Sequence, residues 1–212
     1  MNQLHAIYLL HKLLKLSQDK KDTMAEKLFL DAEELLLDSF RLGAKIVQDN
    51  FKPTYIIAIW RGGTPIGVAV QEMLHYHSCQ SDHIAIRTSS YSGIDNQDSK
   101  INIHGLNYLI KKITADDKLL IVDDVFDTGL TITSVVEHLR IKARLNTPTD
   151  IRIAVPYFKP NRNRTPITPH YFLHSTQDWL KYPHSLEGLS ETEIKQHRPE
   201  IYAILNKIKR PL

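Results

Sequence analysis

Two adjacent carboxylates, Asp123 and Asp124, directly follow four apolar residues, Leu119-Leu120-Ile121-Val122. A short polar loop with one glycine, Asp127-Thr128-Gly129-Leu130-Thr131, comes next, and a helical pattern runs from Ile132 to Arg144. The apolar run predicts a buried strand, so both acids fall at its carboxyl end. A strand, a small loop and a helix N-terminus together make an anion site. The first helical turn leaves N–H groups free, and the positive end of the helix dipole faces the same way. Carboxylates beside such a site suit a ligand carrying phosphate together with hydroxyls or a metal, such as a phosphorylated sugar. Acids at a strand end are common in doubly wound folds. The whole run from Leu119 to Thr131 is what points to chemistry.

Other residues could complete such a site. Trp60-Arg61-Gly62-Gly63 follows a second apolar run, Tyr55 to Trp60. Arg61 can offer a bidentate fork to phosphate, and glycines let backbone approach an anion. By itself the loop reads equally well as a tight turn with a solvated arginine. Ser89-Ser90-Tyr91-Ser92-Gly93-Ile94-Asp95-Asn96-Gln97 is polar throughout and reads as a surface loop. Lys159 ends a strand, where a lysine is usually just solvated. Trp179 has a flat face for stacking but suits a core equally well.

The run 119–131 resembles the signature for 5-phosphoribosyl 1-diphosphate (PRPP) in type I phosphoribosyltransferases. The resemblance covers roughly residues 25 to 190. It implies that Asp123 and Asp124 hold ribose hydroxyls, directly or through Mg²⁺. It implies that Asp127, Thr128, Gly129, Leu130 and Thr131 hold the 5′-phosphate, with Asp127 the general base beside purine N7. Arg61 and Gly62 then match the diphosphate loop, with a cis peptide at Arg61–Gly62. Ser90 and Tyr91 match a lid that excludes water. Ser-Ser-Tyr followed by Asp-Asn-Gln looks especially like bacterial xanthine-guanine phosphoribosyltransferase. Lys159 matches the lysine that reads a purine 6-oxo group, Trp179 the aromatic over the base, and Leu180 a backbone carbonyl for its N–H groups. Two departures stand out. Phe126 is bulkier than the usual aliphatic residue, and the acid usual shortly after Pro183 is missing. His184 and Ser185 stand there, with Glu187 further on.

These matches imply transfer of phosphoribose from PRPP to a 6-oxopurine, with diphosphate released and Mg²⁺ as cofactor, in a cytoplasmic homo-oligomer. The implied fold is α/β, a mostly parallel sheet flanked by helices, with a small irregular hood, mainly 156–190, that binds the base. Two other readings compete with this one. A PRPP-binding regulator with little or no catalysis needs a DNA-reading element, and the residues before the first strand lack a winged-helix or helix-turn-helix pattern. A transferase for a different nucleobase, a pyrimidine or orotate, is disfavoured by Lys159 and Trp179.

Bulk properties agree. The chain has 212 residues, 42% hydrophobic and 24% charged, enough for one domain with a sizeable core. A net charge of +3 is too mild to argue for nucleic acid. One cysteine, Cys79, rules out an internal disulfide. No apolar run approaches the ~20 residues of a membrane helix, and no histidines or cysteines show metal-ligand spacing.

The elements that position these residues follow from periodicity. Leu4, Ile7, Leu10 and Leu14 predict an N-terminal helix, and residues 1–23 are expected to be a helical extension of a transferase domain at 24–212. A second helical pattern opens at Met24. Strands are expected at Tyr55–Trp60, Ile84–Ile86, Ile101–Ile103, Leu119–Val122, Ile151–Phe158 and Tyr171–Leu173, with a mobile loop over Thr88–Lys100. Pro65 suits the first turn of a helix running to about Tyr76. Ser190 and Glu193 predict a capping box, and Pro199 starts a last helix. Alternating strands and helices imply a mostly parallel sheet covered on both faces, with ligands at the carboxyl ends of its strands.

Overall fold

The structure, a computed structural model, describes residues 27–91 and 100–208. The expected N-terminal helix, the boundary at residue 24 and the middle of the polar run lie outside the described residues. In chain order the elements are β1 (Lys27–Phe29), α1 (Ala32–Gln48), β2 (Tyr55–Trp60), α2 (Gly63–Tyr76), β3 (Asp82–Tyr91), β4 (Lys100–His104), α3 (Asn107–Ile110), β5 (Lys118–Val122), β6 (Val125–Phe126), α4 (Leu130–Ala143), β7 (Asp150–Ala154), β8 (Tyr157–Phe158), β9 (His174–Ser175), β10 (Trp179–Lys181), α5 (Glu191–His197) and α6 (Pro199–Asn206). They fall into two units. The larger holds 30–176 and 182–189; the smaller holds the remaining described residues, 27–29, 177–181 and 190–208.

The larger unit is built on a five-stranded sheet in the order β4-β3-β2-β5-β7. β2, β3, β5 and β7 run parallel, and β4 closes one edge antiparallel to β3. Side chains alternate across a strand, so β5 serves two cores. Leu119 and Ile121 pack with Ile57, Ile59, Ile153 and the α4 residues Ile132, Val135 and Leu139. Leu120 and Val122 pack with Ile56, Leu42 and Ile46 of α1, and Ile66, Val70 and Leu74 of α2. Burial on both faces is why this strand reads as an unbroken apolar run. The expected fold class is the one observed.

Several boundaries differ from expectation, each for a local reason. The second helix starts at Ala32 instead of Met24, because the Asp31 side chain accepts from the N–H groups of Glu33 and Glu34 and fixes the start there. Residues 27–29 form a strand. β3 continues to Tyr91, through four residues expected in the loop, because it pairs with β4 from Arg87↔His104 to Tyr91↔Lys100. The apolar run 151–158 splits into β7 and β8 on either side of Val155-Pro156. Tyr171 makes a single bridge to Ala154, and the strand comes later, at β9.

β6, β8 and β9 form a small parallel sheet beyond the end of β5. It carries Phe126, whose ring meets Phe158 edge-on at 5.6 Å between centroids. The bulky residue at this position therefore fills the space under the loop.

In the smaller unit β1 pairs parallel with β10. α5 opens with the expected capping box between Ser190 and Glu193. Lys27 Nζ lies 2.5 Å from Glu193 Oε1, and Phe29 stacks on His197 at 3.8 Å. α6 begins at Pro199, as expected. Among the described residues no helix is long and apolar enough to cross a membrane.

Ile121, fully buried at the centre of the sheet, gives a direct test of this core. Ile121→Ala should lower stability by about 2–5 kcal/mol through lost burial and the cavity left behind, read from the midpoint shift in urea unfolding.

Candidate functional site

The site is organised at the carboxyl end of β5. Both acids there are half-buried, and the Asp124 N–H donates to Asp123 Oδ1 at 2.9 Å. The loop from β2 to α2 lies directly against them. A Cβ at position 62 would stand 1.8 Å from Asp124 Oδ2, so only glycine fits. Tyr182 closes the other side, donating its hydroxyl to the Asp124 carbonyl at 2.9 Å.

Burial governs the charge of this pair. It pushes the Asp123 carboxyl well above the usual carboxylate range, and the charge of neighbouring Asp124 adds to that. Burial likewise raises Asp124, to about 6, partly opposed by hydrogen bonds to its carboxylate and by the Arg61 charge. The Tyr182 phenol is pushed well up, first by burial and then by the two acids.

Two cavities meet at these acids. One, of about 230 Å³, is lined by Asp123 to Gly129 together with Thr131 and Ile132. It lies at the N-terminus of α4. Gly129 takes the left-handed conformation there, φ +78°, and has Thr165 Oγ1 2.5 Å from where a Cβ would be. The other cavity, of about 460 Å³, is lined by Ile59, Trp60, Arg61, Gly62, Arg87, Thr88, Asp123, Asp124 and Thr131. Asp123, Asp124 and Thr131 belong to both. The helices that start here, α2 and α4, have no capping side chain and no acid in their first turns. α1 and α5 are capped by side chains and begin with acids. An uncapped N-terminus keeps its N–H groups and dipole available to an anion.

Asp127 sits on the loop between the acids and α4. Its Oδ1 lies 2.5 Å from Arg162 Nε and its Oδ2 3.4 Å from Lys159 Nζ. Lys159 is buried. The segment carrying both cations is laced to the loop by its backbone: Lys159 N donates to Phe126 O at 2.9 Å and Arg164 N to Thr128 O at 3.0 Å. Across the site Arg61 Nη2 pairs with Glu187 Oε2 at 2.8 Å.

The arrangement is two cavities joined by a pair of acids, and the chain that builds it is similar to known proteins. A model of the phosphoribosyl transferase domain matches residues 27–189. The chain belongs to the phosphoribosyl transferase domain family. Among solved structures, a purine phosphoribosyltransferase from Pyrococcus horikoshii is 26% identical, with a TM-score of 0.59 over 78% of this chain and 97% of its own. A Neisseria gonorrhoeae protein solved with bound ppGpp is 18% identical, with a TM-score of 0.64 over 85% of this chain and 98% of its own. A hypoxanthine phosphoribosyltransferase from Staphylococcus aureus is 21% identical, with a TM-score of 0.56 over 74% and 84%. At 18% and 21% identity the last two show the shared fold. A search of curated proteins finds no match.

Within this phosphoribosyltransferase framework the expected residues divide into groups. Arg61, Gly62, Asp123, Asp124, Thr128, Gly129 and Thr131 line the two cavities, and Asp127 and Leu130 belong to the same loop and helix start. Ser90 and Tyr91 lie in the terminal part of β3. Trp179 and Leu180 form β10 in the smaller unit. Trp179 is 59% exposed, with Lys181 Nζ 5.3 Å from its ring centroid, so it is not a core residue. One detail shifts: the cis peptide is Trp60–Arg61, one bond before the expected Arg61–Gly62. Four residues were not singled out from sequence. Arg87 and Arg162 have no motif around them, and Tyr182 and Glu187 flank Pro183 without a role of their own in the resemblance. Two signals were available: Arg87 is a cation at the end of the expected strand Ile84–Ile86, and Tyr182 stands between Leu180 and Pro183.

The half-buried acids make stability depend on pH with a definite sign. Each is harder to ionise folded than unfolded, so the folded state keeps protons that the unfolded state has lost above about pH 4. For Asp124 that difference closes at about 6, and for Asp123 higher. Stability without ligand should therefore fall as pH rises through this window. Asp124→Asn should flatten the fall and melt higher than wild type at pH 8. Thermal melts from pH 4 to pH 8 check this, and an unchanged slope would contradict it.

Proposed function

We propose that the chain transfers the 5-phosphoribosyl group of PRPP to N9 of a 6-oxopurine, releasing diphosphate and giving a purine nucleoside 5′-monophosphate. One observation carries the proposal. Two anion-suited cavities share Asp123, Asp124 and Thr131 as a common wall. PRPP needs that layout, since it has a phosphate at one end of a ribose and a diphosphate at the other.

On this reading the 5′-phosphate lies at the N-terminus of α4, against Thr128, Gly129, Leu130 and Thr131. Asp123 and Asp124 hold the ribose hydroxyls. The diphosphate faces Arg61 and Gly62, and Arg61 leaves its exposed pair with Glu187, a contact of the kind worth about 0–1 kcal/mol. Glu187 thus provides an acid near the position where Ser185 replaces the usual one. Asp127 takes the proton lost from the purine imidazole edge. Lys159 turns from Asp127 to the 6-oxo group. Ser90 and Tyr91, which pair with β4 at the end of β3, are assigned through the resemblance to a lid that excludes water, which would otherwise hydrolyse PRPP. Trp179 and Leu180 enter the reading through the sequence alone.

The residues present fit a Mg²⁺ brought in with PRPP. Among the described residues no group of three or more His, Cys, Asp and Glu could hold a metal ion. Mg²⁺, however, is commonly bound by one or two carboxylates with substrate phosphates and water, and Asp123 and Asp124 supply that share. Bound there, Mg²⁺ neutralises charge on the diphosphate leaving group. We place the reaction in purine salvage in the cytoplasm, carried out by a homo-oligomer.

The decisive assay incubates the protein with PRPP, Mg²⁺ and one nucleobase at a time, scoring diphosphate and the matching monophosphate. Hypoxanthine, guanine or xanthine should react. Adenine should be disfavoured at least about tenfold, because its 6-amino donor faces a lysine that can only donate and an unpaired buried donor costs ~1–3 kcal/mol. Activity with adenine, orotate or uracil alone would overturn the purine half of the proposal. In the same assay Asp127→Asn should lower kcat by about 10²- to 10⁴-fold with little change in KM for PRPP; near-normal turnover would remove Asp127 from its role.

A further inference from the structure

We infer that Tyr182 is a positioning residue for sugar binding, holding the Asp124 peptide so that the Asp124 carboxylate stays in the wall between the two cavities. The inference rests on the reading of Asp124 as an acid that holds a ribose hydroxyl. Tyr182 opens the segment Tyr182–Leu189 of the larger unit. Its side chain is buried, its ring stacks beside His184 at 5.5 Å, and its hydroxyl donates to the Asp124 carbonyl at 2.9 Å. That carbonyl belongs to the peptide joining Asp124 to Val125. On the other side of the same peptide, the Val125 N–H hydrogen-bonds the Asp124 carboxylate. Tyr182 thus reaches the acid through one peptide plane and needs no contact with the ligand.

Asp124 stands where the regular sheet no longer fixes the backbone. The pairing of β5 with β2 and β7 ends at Val122. Asp123 N still donates to Ala154 O at 3.2 Å, but Asp124 N turns to Asp123 Oδ1. Pairing resumes at Val125, with β8. Between these two ladders a side chain from a distant segment meets the Asp124 carbonyl. The carboxylate itself has little room. A Cβ at position 62 would stand 1.8 Å from Asp124 Oδ2 and 2.9 Å from Asp124 Cβ. Rotating the Asp124 peptide therefore drives the carboxylate into the glycine loop or out of the wall that both cavities share. A buried, packed phenol suits this task, because a binding group is only as well placed as the residues that support it.

Calorimetry with ribose 5-phosphate, 2,3-dideoxyribose 5-phosphate and inorganic diphosphate, each in the presence of Mg²⁺, tests the assignment. Wild type should favour ribose 5-phosphate over the dideoxy sugar at least about tenfold, as expected for lost hydrogen bonds to charged groups. Tyr182→Phe should remove most of that preference, while the dideoxy sugar and diphosphate bind as to wild type. In Asp124→Ala the further change Tyr182→Phe should cost ribose 5-phosphate nothing more, since the phenol acts through that carboxylate. Replacing Tyr182 with 4-aminophenylalanine keeps a donor and should keep the preference. Replacing it with 4-methylphenylalanine, of similar size and without a donor, should lose it; this pair gives the same comparison should Tyr182→Phe fail to fold. A full wild-type preference in the variants lacking the donor overturns the inference and leaves the ribose reading of Asp124 intact. Equal weakening of all three ligands makes Tyr182 a packing residue and overturns it too. A wild-type protein that does not distinguish the two sugars overturns the ribose reading and the inference with it.

Discussion

The structure depends on one close approach, the glycine loop after β2 against the acids after β5. Asp124 Oδ2 occupies the space a side chain at position 62 would need. β2 and β5 are adjacent, paired from Tyr55↔Leu119 to Ala58↔Val122. Their ends therefore emerge side by side, and the two loops compete for the same volume. Glycine resolves that competition and leaves the acids as the partition between two cavities. A bulkier residue at 62 would push the loop outward and merge or close those spaces.

The same crowding sets the electrostatics. Two neighbouring carboxyls held away from water are harder to ionise, so the pair resists the charge that its chemistry uses. The surroundings answer with cations: Arg61 and Arg87 line the larger cavity, and Lys159 and Arg162 stand on Asp127. The third acid is thus handled differently from the other two. Asp123 and Asp124 are shielded by packing and by Tyr182, whereas Asp127 is engaged by direct ion pairs. A ligand that is anionic at both ends and hydroxylated between them matches this division of roles.

Helix ends show where the fold favours function over local stability. α1 and α5 begin with side-chain caps and first-turn acids, the arrangement that lowers their energy. α2 and α4 begin at glycines without either. A carboxylate placed at those ends would stabilise each helix and also occupy the space that the proposed reading gives to phosphate. Leaving them bare costs helix stability, which the buried faces of both helices offset by packing on the two sides of the sheet.

Much of this was legible in the residues because its causes are local. The strand, acids, loop and helix from Leu119 to Ala143 are contiguous, so hydrophobic run, glycine and helical period together identify them without knowledge of the rest. The capping box at Ser190 and the break at Pro199 are local in the same way. The tertiary structure alone decided what joins distant segments. The ion pair from Arg162 to Asp127 spans 35 residues and that from Arg61 to Glu187 spans 126. β3 runs past its apolar residues into Ser-Ser-Tyr because β4 lies beside it, and Arg87 joins Arg61 because β3 pairs with β2. A side chain's partners in space leave no period or motif in the chain that carries it. Sequence could therefore identify the strand, acids, loop and helix at the end of β5, while the cations that surround them depended on how the sheet was assembled.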